Sequence, residues 1–172
     1  MSKQGDLAET YPLGPELGFL QRLWQLDHAL ERASTRMERT LGVTAQQRLV
    51  LLCVGRFPGL MAGQLAALLH VDPGTVSASL GRLEGRGLLE RQRDPRDQRR
   101  VTLGLTPGGR ALVRPSDVTI EHAVARLLGE VPEAEVATML GVIARFVALL
   151  DGPRAEDDAP PRGEADHSGT KA

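Results

Sequence analysis

Aromatic residues are scarce in this chain of 172 residues, with one Trp, one Tyr and three Phe. Its core must therefore be filled by Leu, Val, Ala, Ile and Met. Cysteine is nearly absent: Cys53 is alone, which excludes an intrachain disulfide and fits a reducing, cytoplasmic setting. Long apolar runs are missing too. The longest uninterrupted one, Leu49 to Val54, falls far short of the roughly 20 residues a bilayer span requires. Neither end pairs a basic stretch with an apolar run, so no secretory signal and no membrane partner are expected. The histidines (His28, His70, His122 and His167) are scattered without metal-ligand spacing, which predicts neither metal nor cofactor. There is no Gly-rich phosphate loop, no Ser-x-x-Lys, no His–Glu pair and no Cys–His arrangement, so an enzyme is not expected.

The net charge of −1 argues at first against nucleic acid, but its distribution does not. Between Arg82 and Arg100 seven arginines face four acids, whereas the segment from Val101 onward is acidic. Positive charge is thus concentrated in one short stretch, and in arginine, the better donor to phosphates and base edges.

The hydrophobic period divides the chain. Residues 1–13 are polar and unpatterned and read as a flexible arm. Gly14 and Pro15 open a helix, and Leu20, Leu23, Trp24, Leu30, Met37 and Leu41 follow at helical spacing up to Gly42. Asp27 and Ser34 fall on that stripe and interrupt it. Thr44 with Gln47 forms a capping-box pattern for a second helix, which stops at Pro58 and Gly59. A short third helix covers Ala62 to Leu69. Asp72 and Pro73 then start a fourth, which runs to about Gly85. The period next changes to two. Leu88–Gln92 and Arg100–Leu105 read as strands, with Val101, Leu103 and Leu105 facing one way, around a turn at Asp94-Pro95-Arg96-Asp97. Thr106-Pro107 restarts helix, Pro115 interrupts it, and Pro132 begins the last helix. Residues 152–172 are rich in Asp, Glu, Pro and Gly and read as a disordered acidic tail.

This order, mainly α with a small β-hairpin, predicts a winged helix-turn-helix in one domain over 14–151. Two helices joined by a short turn present the second to a major groove. On the fourth helix Val76, Leu80 and Leu83 share the inward face. Thr75, Ser77, Ala78, Ser79 and Arg82 are left to face base edges, with Arg86 nearer the phosphates. The wing offers Arg96, Arg99 and Arg100 to a narrow minor groove. Cys53, set among Leu and Val, reads as a buried structural thiol.

Three segments, LAALLHVDPGTVSASLGRLEGRGLLER, DPRDQRR and VTLGLTPGG, resemble the DNA-binding region of MarR-type regulators. The more specific signals are Asp97-Gln98-Arg99 at the wing tip and Leu103-Gly104-Leu105-Thr106-Pro107-Gly108-Gly109 after it. Met61 stands where a capping Thr or Ser is usual, and His70 where Gly is frequent. The resemblance implies that Arg99 enters the minor groove while Asp97 holds it in position. It implies a homodimer joined by helices at about 15–41 and 107–151, flanking a DNA-binding lobe at about 44–106. It implies a repressor that binds double-stranded DNA at an inverted repeat. A small aromatic or anionic effector is a further expectation. Trp24 reads either as core or, with His28, as the wall of an effector cleft.

Overall fold

The computed structural model describes residues 13–93, 97 and 99–152. The expected arm up to residue 12, the tail from residue 153 and Arg96 lie outside them. The chain divides into two compact units, one up to Arg126 and one from Leu127.

In the first unit, α1 (Gly14–Leu41) carries Pro in its first turn and stops at Gly42, whose φ of 73° lets its N–H reach the Glu38 carbonyl. The helix α2 (Ala45–Arg56) starts on the expected capping box: the Gln47 N–H donates to Thr44 Oγ1, and the Thr44 N–H donates to Gln47 Oε1, both at 3.2 Å. Ser34 of α1 accepts the Ala45 N–H at 3.0 Å, so one of the two interruptions in the α1 stripe serves to tie α1 to the start of α2. Next come α3 (Ala62–Leu69) and α4 (Pro73–Gly85). Met61 offers no capping oxygen, and Gln64 compensates by accepting the Met61 N–H at 3.0 Å.

Strands β1 (Leu89–Arg93) and β2 (Val101–Leu105) pair antiparallel, from Leu89 with Leu105 to Arg93 with Val101. The Leu103 N–H donates to the Leu60 carbonyl at 2.8 Å, which ties the hairpin to the α2–α3 loop. Leu103 and Leu105 are buried as expected, but Val101 is 40% exposed, because it sits at the outer end of the hairpin beyond the core. Pro115 divides the predicted fifth helix into α5 (Pro107–Leu112) and α6 (Ile120–Glu130).

The buried cluster joins α2, α3, α4 and the hairpin through Val50, Leu51, Leu65, Leu80, Leu83 and Leu103. Burying such a set is what holds a domain of this size, at about 25 cal/mol per Å² of apolar surface. On the α1 stripe only Met37 is buried, and Trp24, at 64% exposed, is outside the core of the single chain. Within the described residues α1 is tied to the start of α2 near its C-terminal end, and Leu17, Leu20, Trp24 and Leu26 of its first half are exposed. In the second unit α7 (Glu133–Asp151) buries none of its residues, and Met139, Leu140, Ile143, Val147 and Leu150 are all exposed.

Candidate nucleic-acid interface

The turn His70–Asp72 sets α4 beside α3. His70 takes the left-handed conformation, φ 51°, that the connection demands. Asp72 caps α4 by accepting the N–H groups of Gly74 at 2.7 Å and Thr75 at 3.3 Å. Val76, Leu80 and Leu83 pack inward, so α4 is clamped on its apolar side and presents the other. Thr75, Ser77, Ala78 and Arg82 are exposed. Apart from Arg82 that face carries only small side chains, with Gly74 and Gly81 between them, and another surface can approach the helix backbone closely.

Ser79 does not belong to this face. It is 4% exposed, because it lies three residues after Val76 and four before Leu83, on the inward stripe. Its hydroxyl has no hydrogen-bond partner among the described residues. A buried hydroxyl without a partner costs about 1–3 kcal/mol. Ser79→Ala is therefore expected to leave stability unchanged or raise it by about 1 kcal/mol. Urea denaturation measures this, and a lowered midpoint would show that the hydroxyl has a partner after all.

Beside α4 stands the hairpin. Glu84 of α4 accepts from Arg91 Nε of β1 at 3.0 Å and fixes one to the other. At the tip Asp97 Oδ1 accepts the Arg99 N–H at 3.0 Å, and the Arg100 N–H donates to the Asp97 carbonyl at 2.9 Å. Asp97 thus shapes the backbone that carries Arg99 and does not neutralise its guanidinium. Arg82, Arg99 and Arg100 are exposed and make no ion pair among the described residues. Their charge is available to a polyanion. Arg86 is exposed as well, but one of its terminal nitrogens rests against the Gly42 turn, 3.0 Å from where a Cβ at Gly42 would stand.

Sequence reasoning missed Arg48. Its side chain is 1% exposed, although arginine is almost never fully buried unless paired. Nε meets Glu121 Oε1 at 2.5 Å, one terminal nitrogen donates to the Leu112 carbonyl, and the other donates to the Arg114 carbonyl at 2.8 Å. The signal was an Arg at helical spacing from Leu51 and Leu52, on a stripe otherwise apolar.

A cleft of about 750 Å³ opens between α1, α2 and α6, walled by Leu30, Leu49, Leu52, Ile120 and Val124. Trp24 and His28 do not line it. They belong to a separate open groove formed by the first half of α1 with Leu13. His28 Nδ1 is 2.8 Å from the Trp24 carbonyl. Cys53 is half-buried, and burial pushes its thiol up from its ordinary pKa, which disfavours the reactive thiolate. Among the described residues no helix is long and apolar enough to cross a membrane.

Two helices at a short turn, the second beside an arginine-bearing hairpin, make this a winged helix-turn-helix protein. A profile described as MarR family matches residues 41–100. Over 148 residues, 82% of this chain and 86% of the relative, the sequence is 33% identical to a putative transcriptional regulatory protein for the hcr operon of Thauera aromatica. Two solved structures share the fold with a TM-score of 0.59 each. PcaV of Streptomyces coelicolor, in complex with its natural ligand, is 31% identical and covers 78% of this chain and 94% of its own. A MarR mutant from E. coli complexed with operator DNA is 25% identical and covers 82% and 97%. The chain belongs to the MarR family and is a transcriptional regulator.

Proposed function

We propose that the chain is a DNA-binding repressor that acts as a symmetric homodimer on an inverted-repeat operator and lets go when an effector binds. The observation that carries this reading is the paired surface of α4 and the wing. Thr75, Ser77, Ala78 and Arg82 present a nearly bare helix face, and Arg99 and Arg100 stand beside it without ion pairs among the described residues. A face of small side chains suits base edges in a major groove, and a wing arginine suits the narrow minor groove next to it. The relative solved on operator DNA supports the same assignment.

Dimerisation is supported by the uncovered apolar residues of α1 and α7, which water leaves unsatisfied and a second copy would bury. Symmetric pairing sets two α4 helices about one turn of DNA apart, hence the inverted repeat. Effector response is supported by the cleft between α1, α2 and α6, and by the ligand-bound relative. A molecule in the cleft releases DNA only by as much as it prefers the conformation that does not bind.

Fluorescence anisotropy with duplex from upstream of the chain's own gene tests the reading, run at two salt concentrations on a sample whose sedimentation shows the mass of two chains. Binding should weaken steeply with salt, and Arg99→Ala should cost about 1–3 kcal/mol. Weak binding that is blind to sequence and indifferent to Arg99 would defeat it, as would a monomeric mass at micromolar concentration.

A further inference from the structure

We propose that the groove between the α2–α3 loop, α3 and the wing is a second ligand site, which takes a small apolar carboxylate on Arg100. It shares no residue with the cleft between α1, α2 and α6. Its volume is about 340 Å³, at the small end of ligand-binding clefts, which suits a molecule with a single ring. Phe57, Pro58, Leu60 and Leu68 give it apolar walls, and Gln64 and Arg100 give it side-chain polar groups. Phe57 is the only aromatic residue between Thr44 and Thr106, yet it is 45% exposed. Leu68 is 46% exposed on a helix whose Leu65 and Ala66 fill the core. A lobe so short of aromatics leaves its one large ring outside the core, on the same groove as an uncovered leucine, and such a patch marks a place where something binds.

The apolar wall is held in place by backbone bonds. Gly59, at φ 82°, turns the chain after Pro58, and the Leu60 N–H closes that turn on the Phe57 carbonyl at 3.2 Å. The Leu60 carbonyl accepts from the Leu103 N–H, so this wall is bonded to β2, the strand that Arg100 leads into. The groove therefore exists before a ligand arrives, and little ordering is needed to fill it.

The polar groups select the occupant. Gln64 Oε1 already accepts the Met61 N–H, so the part of its amide left to bind is the NH2, a donor. Arg100 is the only charged residue on the lining, and its guanidinium has no ion pair among the described residues. Asp97, three residues before it, gives a carboxylate oxygen to the Arg99 N–H instead. Free donors beside apolar walls suit an anion with an apolar body, and a carboxylate meets a guanidinium through two parallel hydrogen bonds. A cation would be repelled by Arg100, and a neutral molecule would leave its charge unmatched. The consequence rests on the wing reading above. A carboxylate seated on Arg100 withdraws that charge from DNA, so it competes with the duplex at the wing itself and needs no change in the spacing of the two α4 helices.

The test uses the full chain with para-tert-butylbenzoate and its neutral amide, para-tert-butylbenzamide. Binding is followed by backbone-amide NMR, and duplex binding by anisotropy. The carboxylate should shift the amide signals of Leu60, Gln64, Leu68 and Arg100 and bind about fivefold more tightly than the neutral amide. Arg100→Gln should erase that preference. Leu68→Gln, at an exposed position outside the DNA contact, should hold duplex as wild type does. It should lose about fivefold of the carboxylate affinity, and with it the competition against duplex. Shifts confined to Leu49 and Leu52 of the other cleft, equal affinity for acid and amide, or acetate held as tightly as para-tert-butylbenzoate would each overturn the proposal. So would duplex competition that survives Leu68→Gln, or carboxylate bound in the groove with duplex affinity unchanged. Carboxylate bound through Arg100 on a chain that holds no duplex would keep the site and sink the DNA-binding reading.

Discussion

Replacing Gly109 by alanine is expected to destabilise the DNA-binding lobe by about 3 kcal/mol or more, a large fraction of the stability of a domain this size. A Cβ at Gly109 would stand 2.0 Å from the Leu88 carbonyl oxygen and 3.1 Å from its carbon. The obstacle is backbone, not the end of a flexible side chain, so it cannot swing aside. Nor can α5 easily back away. Thr106 Oγ1 donates to the Gly87 carbonyl at 2.6 Å, and the Thr106 N–H donates to the Leu88 carbonyl at 3.3 Å. The same Oγ1 caps α5 by accepting the Gly109 N–H at 3.1 Å. Moving Gly109 outward would therefore break the bonds that join the hairpin to α5. Its neighbour Gly108 provides the control. A Cβ there meets nothing closer than 3.5 Å, and alanine also favours helix. Gly108→Ala should be neutral or stabilising by up to about 1 kcal/mol. Urea denaturation of the two variants side by side decides the matter. Equal midpoints would mean that the approach of α5 to Leu88 is not what requires glycine.

That glycine also shows where a sequence can be read and where it cannot. Local chemistry was legible because its causes lie within a few residues. The Thr44–Gln47 box, the Asp72 cap with Pro73, the stop at Gly42 and the break at Pro115 all involve neighbours in the chain, and each stands where the spacing puts it. The hairpin was legible for the same reason, within a residue at each end of β1 and at the start of β2. Burial along α4 was less so. Ser79 was assigned outward by its polarity, yet a 3.6-residue period puts it between Val76 and Leu83, and periodicity outranks residue type when the two disagree. Trp24 failed in the opposite sense. A large aromatic on an apolar stripe suggested core, but which residues of α1 a single chain buries is decided by tertiary packing. A cleft was expected from the resemblance, but its walls were not legible, and Trp24 and His28 line a separate groove. The cleft is assembled from three helices far apart in sequence, which spacing along the chain does not reveal.

Arg48 is the other residue decided at long range, and Arg48→Met is expected to lower stability by about 3 kcal/mol. Two contributions compete in that number. One is the ion pair with Glu121, whose side chain is 40% exposed. A carboxylate so open to water loses little when its partner goes, about 1 kcal/mol or less. The other is the grip of the guanidinium on the Leu112 and Arg114 carbonyls, which close the chain between α5 and α6. A methionine fills similar space but donates nothing. Two carbonyls would lose charged donors, each bond contributing about 1.5–3 kcal/mol. The carbonyls should dominate, and a pair of variants separates the two contributions. Glu121→Gln keeps both carbonyl bonds but leaves the buried guanidinium without its counter-charge, so it should cost about 1–2 kcal/mol, still less than Arg48→Met. Arg48→Lys keeps the charge but cannot span Glu121 and two carbonyls with one ammonium, and it should fall near Arg48→Met. If Glu121→Gln proved as damaging as Arg48→Met in urea, the ion pair would be the main support. With the expected order, Arg48 acts as a donor that pins the bend after α5, and its charge is the means of delivering three directed hydrogen bonds from one buried side chain. That bend joins the lobe that carries α4 and the wing to α6, so loosening it should lower how firmly the lobe is held.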